Sequence, residues 1–367
     1  MRIILAIALI SQLAEANPLV FSDARPVLEM NALFEQKDNW IGADGAYSIA
    51  LTPDRTLWLF SDTWVGSVRD GKRANATIVN NSLALQDGKG AQAKLEFVIR
   101  HDVGGKPAAF LTPEDKRGWF WLQSGACTGE HLFLFLSQME RTDTNSVFGF
   151  HQVGQWLGVV TNPLDPPLAW SVEQHKLPGA RFLPERQVTF GAATLVDGGY
   201  LYIYGTDEDI KSRSRDRYLI VARVPTNEVA DFSAWRYYAK GKWDVDPFKA
   251  SRIAGDMASE CSVSFLPQPG RYVLVYTDRG FSPKIQARTS LTPWGEWSAP
   301  ATIYRCPEMG PDKNIFCYAA KAHPSQGIND GLMISYVANS FDFWEVATNA
   351  SLYWPRFIRV QVAAGRR

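Results

Sequence analysis

A hairpin that recurs five times along the chain constrains its fold more than any other feature. The segments are Asp44–Asp62, Trp121–Gln138, Thr189–Asp207, Glu260–Asp278 and Cys317–Asn339. Each is a strand rich in small residues, a turn, and then a run of large apolar residues. The second strands start at Leu57, Leu132, Leu201, Tyr272 and Leu332, spaced 75, 69, 71 and 60 residues apart. A repeat of this kind is one supersecondary unit that buries its apolar faces only against neighbouring copies.

The residue types say how the copies stack. Small residues in the first strand (Gly45-Ala46, Gly125-Ala126, Gly191-Ala192-Ala193, Ser262, Ala319-Ala320) suit a crowded position around an axis. The runs LWLF, LFLF, LYIY, YVLV and LMIS suit a second strand covered on both faces. The expected fold is all-β, a single-domain five-bladed β-propeller over residues 17–367. Third and fourth strands are expected at Asn81–Leu85 and Leu95–Arg100, Tyr218–Val224 and Trp235–Tyr238, and Ile285–Arg288 with Trp297–Tyr304. The last repeat ends on Phe357–Val362, one strand short, so residues near Leu19–Met30 are expected to close the ring. A pair of β-sandwiches would not need five equivalent hairpins.

The first residues read as a leader. Arg2 precedes the apolar run Ile3–Ile10, and Ala14-Glu15-Ala16 offers a small-x-small cleavage site. The run is too short for a bilayer, which takes about 20 apolar residues. Residues 1–16 are therefore expected to be a signal peptide, and the mature chain secreted or periplasmic, with no membrane span. Cys127, Cys261, Cys306 and Cys317 allow three pairings in an oxidising compartment. Cys306 with Cys317, across a Pro/Gly/Asp-rich loop, is the preferred bridge. Lys+Arg and Asp+Glu balance at 38 each, without blocks of like charge, which argues against a nucleic-acid partner.

In an antiparallel hairpin, residues equally far from the turn lie side by side. The first hairpin turns near Asp54, so Asp44 and Asp62 reach the same rim of the axial cavity. Glu260 and Asp278 do so in the fourth repeat. The same argument places Arg186 or Gln187, Asp207, Lys321, His323 and Asn339 around that rim. A cup of carboxylates suits glycoside hydrolysis, which needs one protonated acid and one ionised carboxylate. Catalytic roles therefore fall to Asp44, Asp62 and Glu260. Asn81, Trp64, Trp121, Arg186, Asp207, Asp278, Lys321, His323 and Asn339 are the candidate substrate-binding residues, with Trp119 and Trp344 as further rim aromatics. Structural roles compete: a turn residue at Asp44, a strand terminator at Asp62, a salt bridge from Glu260 to Arg186, a packed His323.

The segments Gly42-Ala43-Asp44-Gly45-Ala46-Tyr47-Ser48 and Leu57-Trp58-Leu59-Phe60-Ser61-Asp62-Thr63 resemble the opening blade of secreted bacterial propeller families. Among these are the domain of unknown function numbered 4185 and glycoside hydrolase family 183, which are similar in fold to glycoside hydrolase family 43. The fourth-repeat segments Ser264–Pro267, Tyr272–Tyr276 and Thr292–Ser298 look like that superfamily too. The resemblance implies first-blade aspartates as general acid and general base, matching Asp44 and Asp62. The family 43 pattern instead implies an acid on a later glutamate, which Glu260 matches.

The function expected is a secreted glycosidase acting on an arabinan-like or related polysaccharide, by inversion, with Asp44 as base and Asp62 or Glu260 as acid. No cofactor or catalytic metal is expected, although an acidic axial cup also suits a structural Ca²⁺. The partner is a polysaccharide or oligosaccharide, and a monomer is expected. A non-catalytic glycan-binding propeller is the alternative. A metal-dependent phosphatase or lactonase is another, whereas a six-bladed sialidase would need a sixth repeat.

Overall fold

The structure, a computed structural model, describes residues 19–142, 149–212, 216–310, 312–327 and 331–365. The leader at residues 1–16 lies outside them.

Five small antiparallel sheets form a five-bladed β-propeller. The inner and second strands are Asp38–Ala50 with Arg55–Arg69, Trp119–Thr128 with His131–Arg141, and Arg186–Asp197 with Tyr200–Asp209. Cys261–Leu266 with Arg271–Thr277 and Ile315–Ala322 with Leu332–Ser340 follow as blades four and five. Leu19–Pro26 pairs with Pro355–Ala364 as the outermost strand of blade five, so the N-terminal segment supplies the strand the last repeat lacks. The outer strands of blade one run Ser82–Asp87 and Lys94–Val98, and that of blade four runs Ala301–Arg305.

Five apolar clusters hold the ring, one at each junction between neighbouring blades. Leu57, Leu59, Leu132, Leu134 and Leu136 meet between blades one and two. Trp40, Trp58, Phe60 and Phe357 meet between blades five and one, where helix Leu28–Phe34 adds Met30 and Phe34. The small inner-strand residues are there for space: Gly191 has φ 93°, and a Cβ on it would collide with the Phe135 ring of the neighbouring blade.

Two departures from a plain four-stranded blade shape the axis and blade one. The inner strands of blades one, two, three and five are bulged near the axis, which re-aims the side chains there. The second strand of blade one also continues into an arm, Lys72–Val79, folded back on Arg55–Arg69. The expected Cys306–Cys317 bridge is not formed. All four cysteines are free thiols, and Cys306 and Cys317 are buried in the same apolar cluster between blades four and five. Among the described residues no helix is long and apolar enough to cross a membrane.

Candidate active site

The bulge in the first inner strand creates the site. Ala43 pairs with Thr63 and Gly45 with Phe60, leaving Asp44 opposite Ser61-Asp62. Positive φ at Gly45 and Ala46 (82° and 52°) makes the bend that turns Asp44 inward. Glu260 arrives from the segment just before the fourth inner strand. Asp62 and Glu260 are both near enough for their charges to act on Asp44.

Each carboxyl has distinct partners. Tyr318, on the inner strand of blade five, donates its hydroxyl to Asp44 Oδ2 at 2.7 Å. Asp44 Oδ1 is buried and makes no hydrogen bond of its own, while the Tyr353 hydroxyl faces the carboxyl from a loop of blade five. Asp62 Oδ1 accepts from Trp121 Nε1 at 2.9 Å and from Asn80 Nδ2 at 3.2 Å. Glu260 Oε2 accepts from Lys321 Nζ at 2.7 Å. That ammonium is otherwise wrapped by the carbonyls of Gly45 and Ala319 and lies 4.3 Å over the Tyr47 ring.

The electrostatics separate the three groups. Burial first, then the charges of Asp62 and Glu260, push the Asp44 pKa up to about 8, against the opposing pull of the Tyr318 and Tyr353 hydroxyls. Burial raises Asp62 to about 6, with Trp121 and Asn80 pulling the other way. Glu260 forms an ion pair with Lys321. At neutral pH the cluster thus holds a proton on Asp44 beside an ion-paired carboxylate. Toward the hairpin turns, Tyr47, Ser124, Ala193, Ser262 and Lys321 border an axial cavity of about 460 Å³.

This arrangement has a stability consequence. The Asp44 pKa rises from 3.8 in the open chain to about 8 when folded, so between these values the native state holds a proton the unfolded chain has lost. Stability must then fall as pH rises through that window. Urea denaturation at about pH 5 and about pH 8.5 is expected to show a loss for wild type and a much smaller one for Asp44→Asn. Equal slopes would mean that Asp44 titrates normally.

The other sequence candidates divide. Trp121 and Lys321 touch the carboxyls directly, and Asn339 Nδ2 reaches the Tyr318 hydroxyl at 3.4 Å. Arg186 and Asp207 pair with each other at 2.7 Å and, through Arg252, with Asp209. The salt bridge weighed between Glu260 and Arg186 is therefore replaced by one from Lys321. Asp278 lies near Lys284, 3.9 Å away, and bonds to none of the three carboxyls. Asn81 is fully buried and bonds to Leu111 and the Phe120 carbonyl. His323 is wedged between Ser48 and Ser335 hydroxyls, each at 2.8 Å, with burial and Lys321 holding its pKa well down. Trp64 is buried against Arg73 and Phe343, and Trp344 is exposed. Asn81, His323 and Trp64 all point into junctions between neighbouring blades rather than into the axial cavity. Tyr318, Tyr353 and Asn80 were not singled out from sequence. Tyr318 precedes the small pair Ala319-Ala320, which is the signal that would have found it. Among the described residues no group of three or more His, Cys, Asp or Glu side chains is arranged to hold a metal ion.

No curated protein matches the sequence. Among solved structures, a candidate hydrolase from Bacteroides ovatus ATCC 8483 aligns with a TM-score of 0.73 at 18% identity, over 92% of this chain and 90% of its own. The α-L-arabinofuranosidase PaAbf62A from Podospora anserina, in complex with cellotriose, aligns with a TM-score of 0.51 at 10% identity, over 95% and 98%. These likenesses extend to the fold. The motifs that resemble family 4185 and glycoside hydrolase family 183 lead instead to a different label: over residues 28–362 the chain matches, and so belongs to, the family described as a domain of unknown function, DUF5005.

Proposed function

We propose that this protein is an exported glycoside hydrolase acting on a polysaccharide, an arabinan-like glycan being the first candidate. The observation that carries the reading is the axial cluster itself. A carboxyl whose pKa is pushed up to about 8 stands beside a second one ion-paired to a buried lysine. Glycosidic cleavage requires such a division between acid and base.

The roles reverse the assignment of Asp44 as base. Asp44 keeps its proton at neutral pH and delivers it to the glycosidic oxygen as the bond to the anomeric carbon breaks. Glu260 takes a proton from the water that attacks that carbon from the opposite face, which inverts its configuration. Asp62 raises the proton affinity of Asp44 through its charge. Trp121, whose indole N–H fixes Asp62, offers the aromatic surface beside the cluster on which a sugar ring stacks. Export rests on the leader-like residues 1–16, and the strand that closes the ring begins just beyond them at Leu19.

A panel of polysaccharides including arabinans and arabinogalactan, with NMR of the released anomer, tests this reading. Wild type is expected to release sugar of inverted configuration, and Asp44→Asn to release almost none. No release from any member of the panel, with glycan binding retained by both proteins, would favour a binding propeller. Retained configuration would remove the inverting step.

A further inference from the structure

The arm of blade one makes an unusual contact across the ring junction. Arg73, in the arm strand Lys72–Val79, is buried, and among the described residues no carboxylate pairs with it. Its guanidinium donates to the Val346 carbonyl, to Asn349 O at 2.8 Å and to Leu352 O at 2.7 Å. These carbonyls belong to the last turn of helix Phe343–Thr348 and the loop after it. A cation is favourable at the carbonyl end of a helix, where unsatisfied C=O groups gather. Trp64 covers the guanidinium 5.3 Å away, and Lys72 bridges to Asn349 beside it.

The clamped loop continues directly into Tyr353, whose hydroxyl faces Asp44. Tyr353 has φ 63°, a left-handed conformation that a bulky residue keeps only where its surroundings impose it. The loop is pressed against blade one on its other side. Gly42 leaves no room there: a Cβ would collide with the Tyr353 carbonyl and lie 3.0 Å from Arg73 Nη2. Thus Arg73, Gly42 and the Ala338 carbonyl, which accepts from Tyr353 N at 2.8 Å, leave the loop one position.

We propose that Arg73 is a positioning residue for Asp44: it clamps the loop after helix Phe343–Thr348, holds the Tyr353 hydroxyl against the carboxyl, and so makes the blade-one arm part of the active-site wall. Arg73 itself touches no reacting atom. Its role in turnover rests on the hydrolytic reading above, but its effect on Asp44 does not.

The groups facing Asp44 are Asp62 on its hairpin partner, Glu260 from blade four, and Tyr318 and Tyr353 from blade five. Both tyrosine hydroxyls favour the charged carboxylate, so loss of either should raise its pKa. The test is titration of the Asp44 carboxyl by ¹³C NMR in the substrate-free protein. Tyr353→Phe is expected to raise the midpoint by about half a unit to one unit. Arg73→Met should raise it similarly, and the double variant should show no further rise. Arg73→Lys keeps the charge but gathers its donors on one nitrogen, so it does not span the carbonyls that Arg73 reaches from two nitrogens, and is expected to fall between. It also keeps the comparison open if Arg73→Met does not fold. An Arg73 variant that is folded but leaves the Asp44 midpoint at the wild-type value would overturn the proposal, as would Tyr353→Phe without a shift. The readout needs no turnover, so a chain that hydrolyses nothing can still confirm or refute it.

Discussion

On the proposed hydrolytic reading, Asp44→Asn is expected to lower kcat on an unactivated polysaccharide by about 100- to 10,000-fold, the usual range for loss of a positioned acid or base. The loss is expected to depend on the leaving group. An alkoxide departing from a sugar needs a proton as the bond breaks, and Asp44 holds one at neutral pH because burial and two neighbouring carboxylates raise its pKa. An aryl glycoside with a good leaving group departs without one. Activity of Asp44→Asn on such a substrate should therefore stay within about tenfold of wild type, whereas Glu260→Gln, which loses the base, should be slow on both kinds. Rates across leaving groups of decreasing pKa separate the roles. A loss at Asp44 that is the same for every leaving group would make it the base and return the acid role to Glu260.

The parts of this site that a linear reading reaches are those that hairpin pairing dictates. Asp44 and Asp62 sit on paired strands of one hairpin, so their proximity follows from counting back from the turn. The count of five blades follows from the same hairpins, and the missing last strand pointed to the N-terminus, where Leu19–Pro26 supplies it. What pairing does not dictate is contact across the axis or between blades. Tyr318 and Asp44 are 274 residues apart, and Arg73 meets Val346 from 273 residues away. Nothing local in either segment encodes the other. The bulges matter too, because a one-residue shift exchanges the faces of a strand. Lys321 turns into the axis just after the bulge in the fifth inner strand, whereas His323 lies beyond that strand's last residue, Ala322, and is enclosed between Ser48 and Ser335. Asn81, expected to hold the sugar, spends its whole side chain on the segment from Leu111 to Phe120.

Lys321→Met should destabilise the fold by about 3 kcal/mol, toward the lower end of the range for removing one partner of a buried ion pair. The lysine side chain is only 2% exposed, while Glu260 keeps 19% of its own in solvent, which softens the penalty. Methionine fills a similar volume, so the loss is electrostatic. Three things go together: the ion pair to Glu260, the hydrogen bonds to the carbonyls of Gly45 and Ala319, and the cation over Tyr47. The inner strands of blades one and five are then left with unpaired carbonyls at the axis, and Glu260 faces Asp44 and Asp62 without a counter-charge. Glu260→Gln in the Lys321→Met background removes that repulsion and should recover part of the loss, whereas Glu260→Gln alone strands the ammonium and should itself destabilise. Urea denaturation of the four proteins gives the coupling directly. Additive effects would mean that Lys321 stabilises through the two carbonyls and the Tyr47 ring rather than through Glu260.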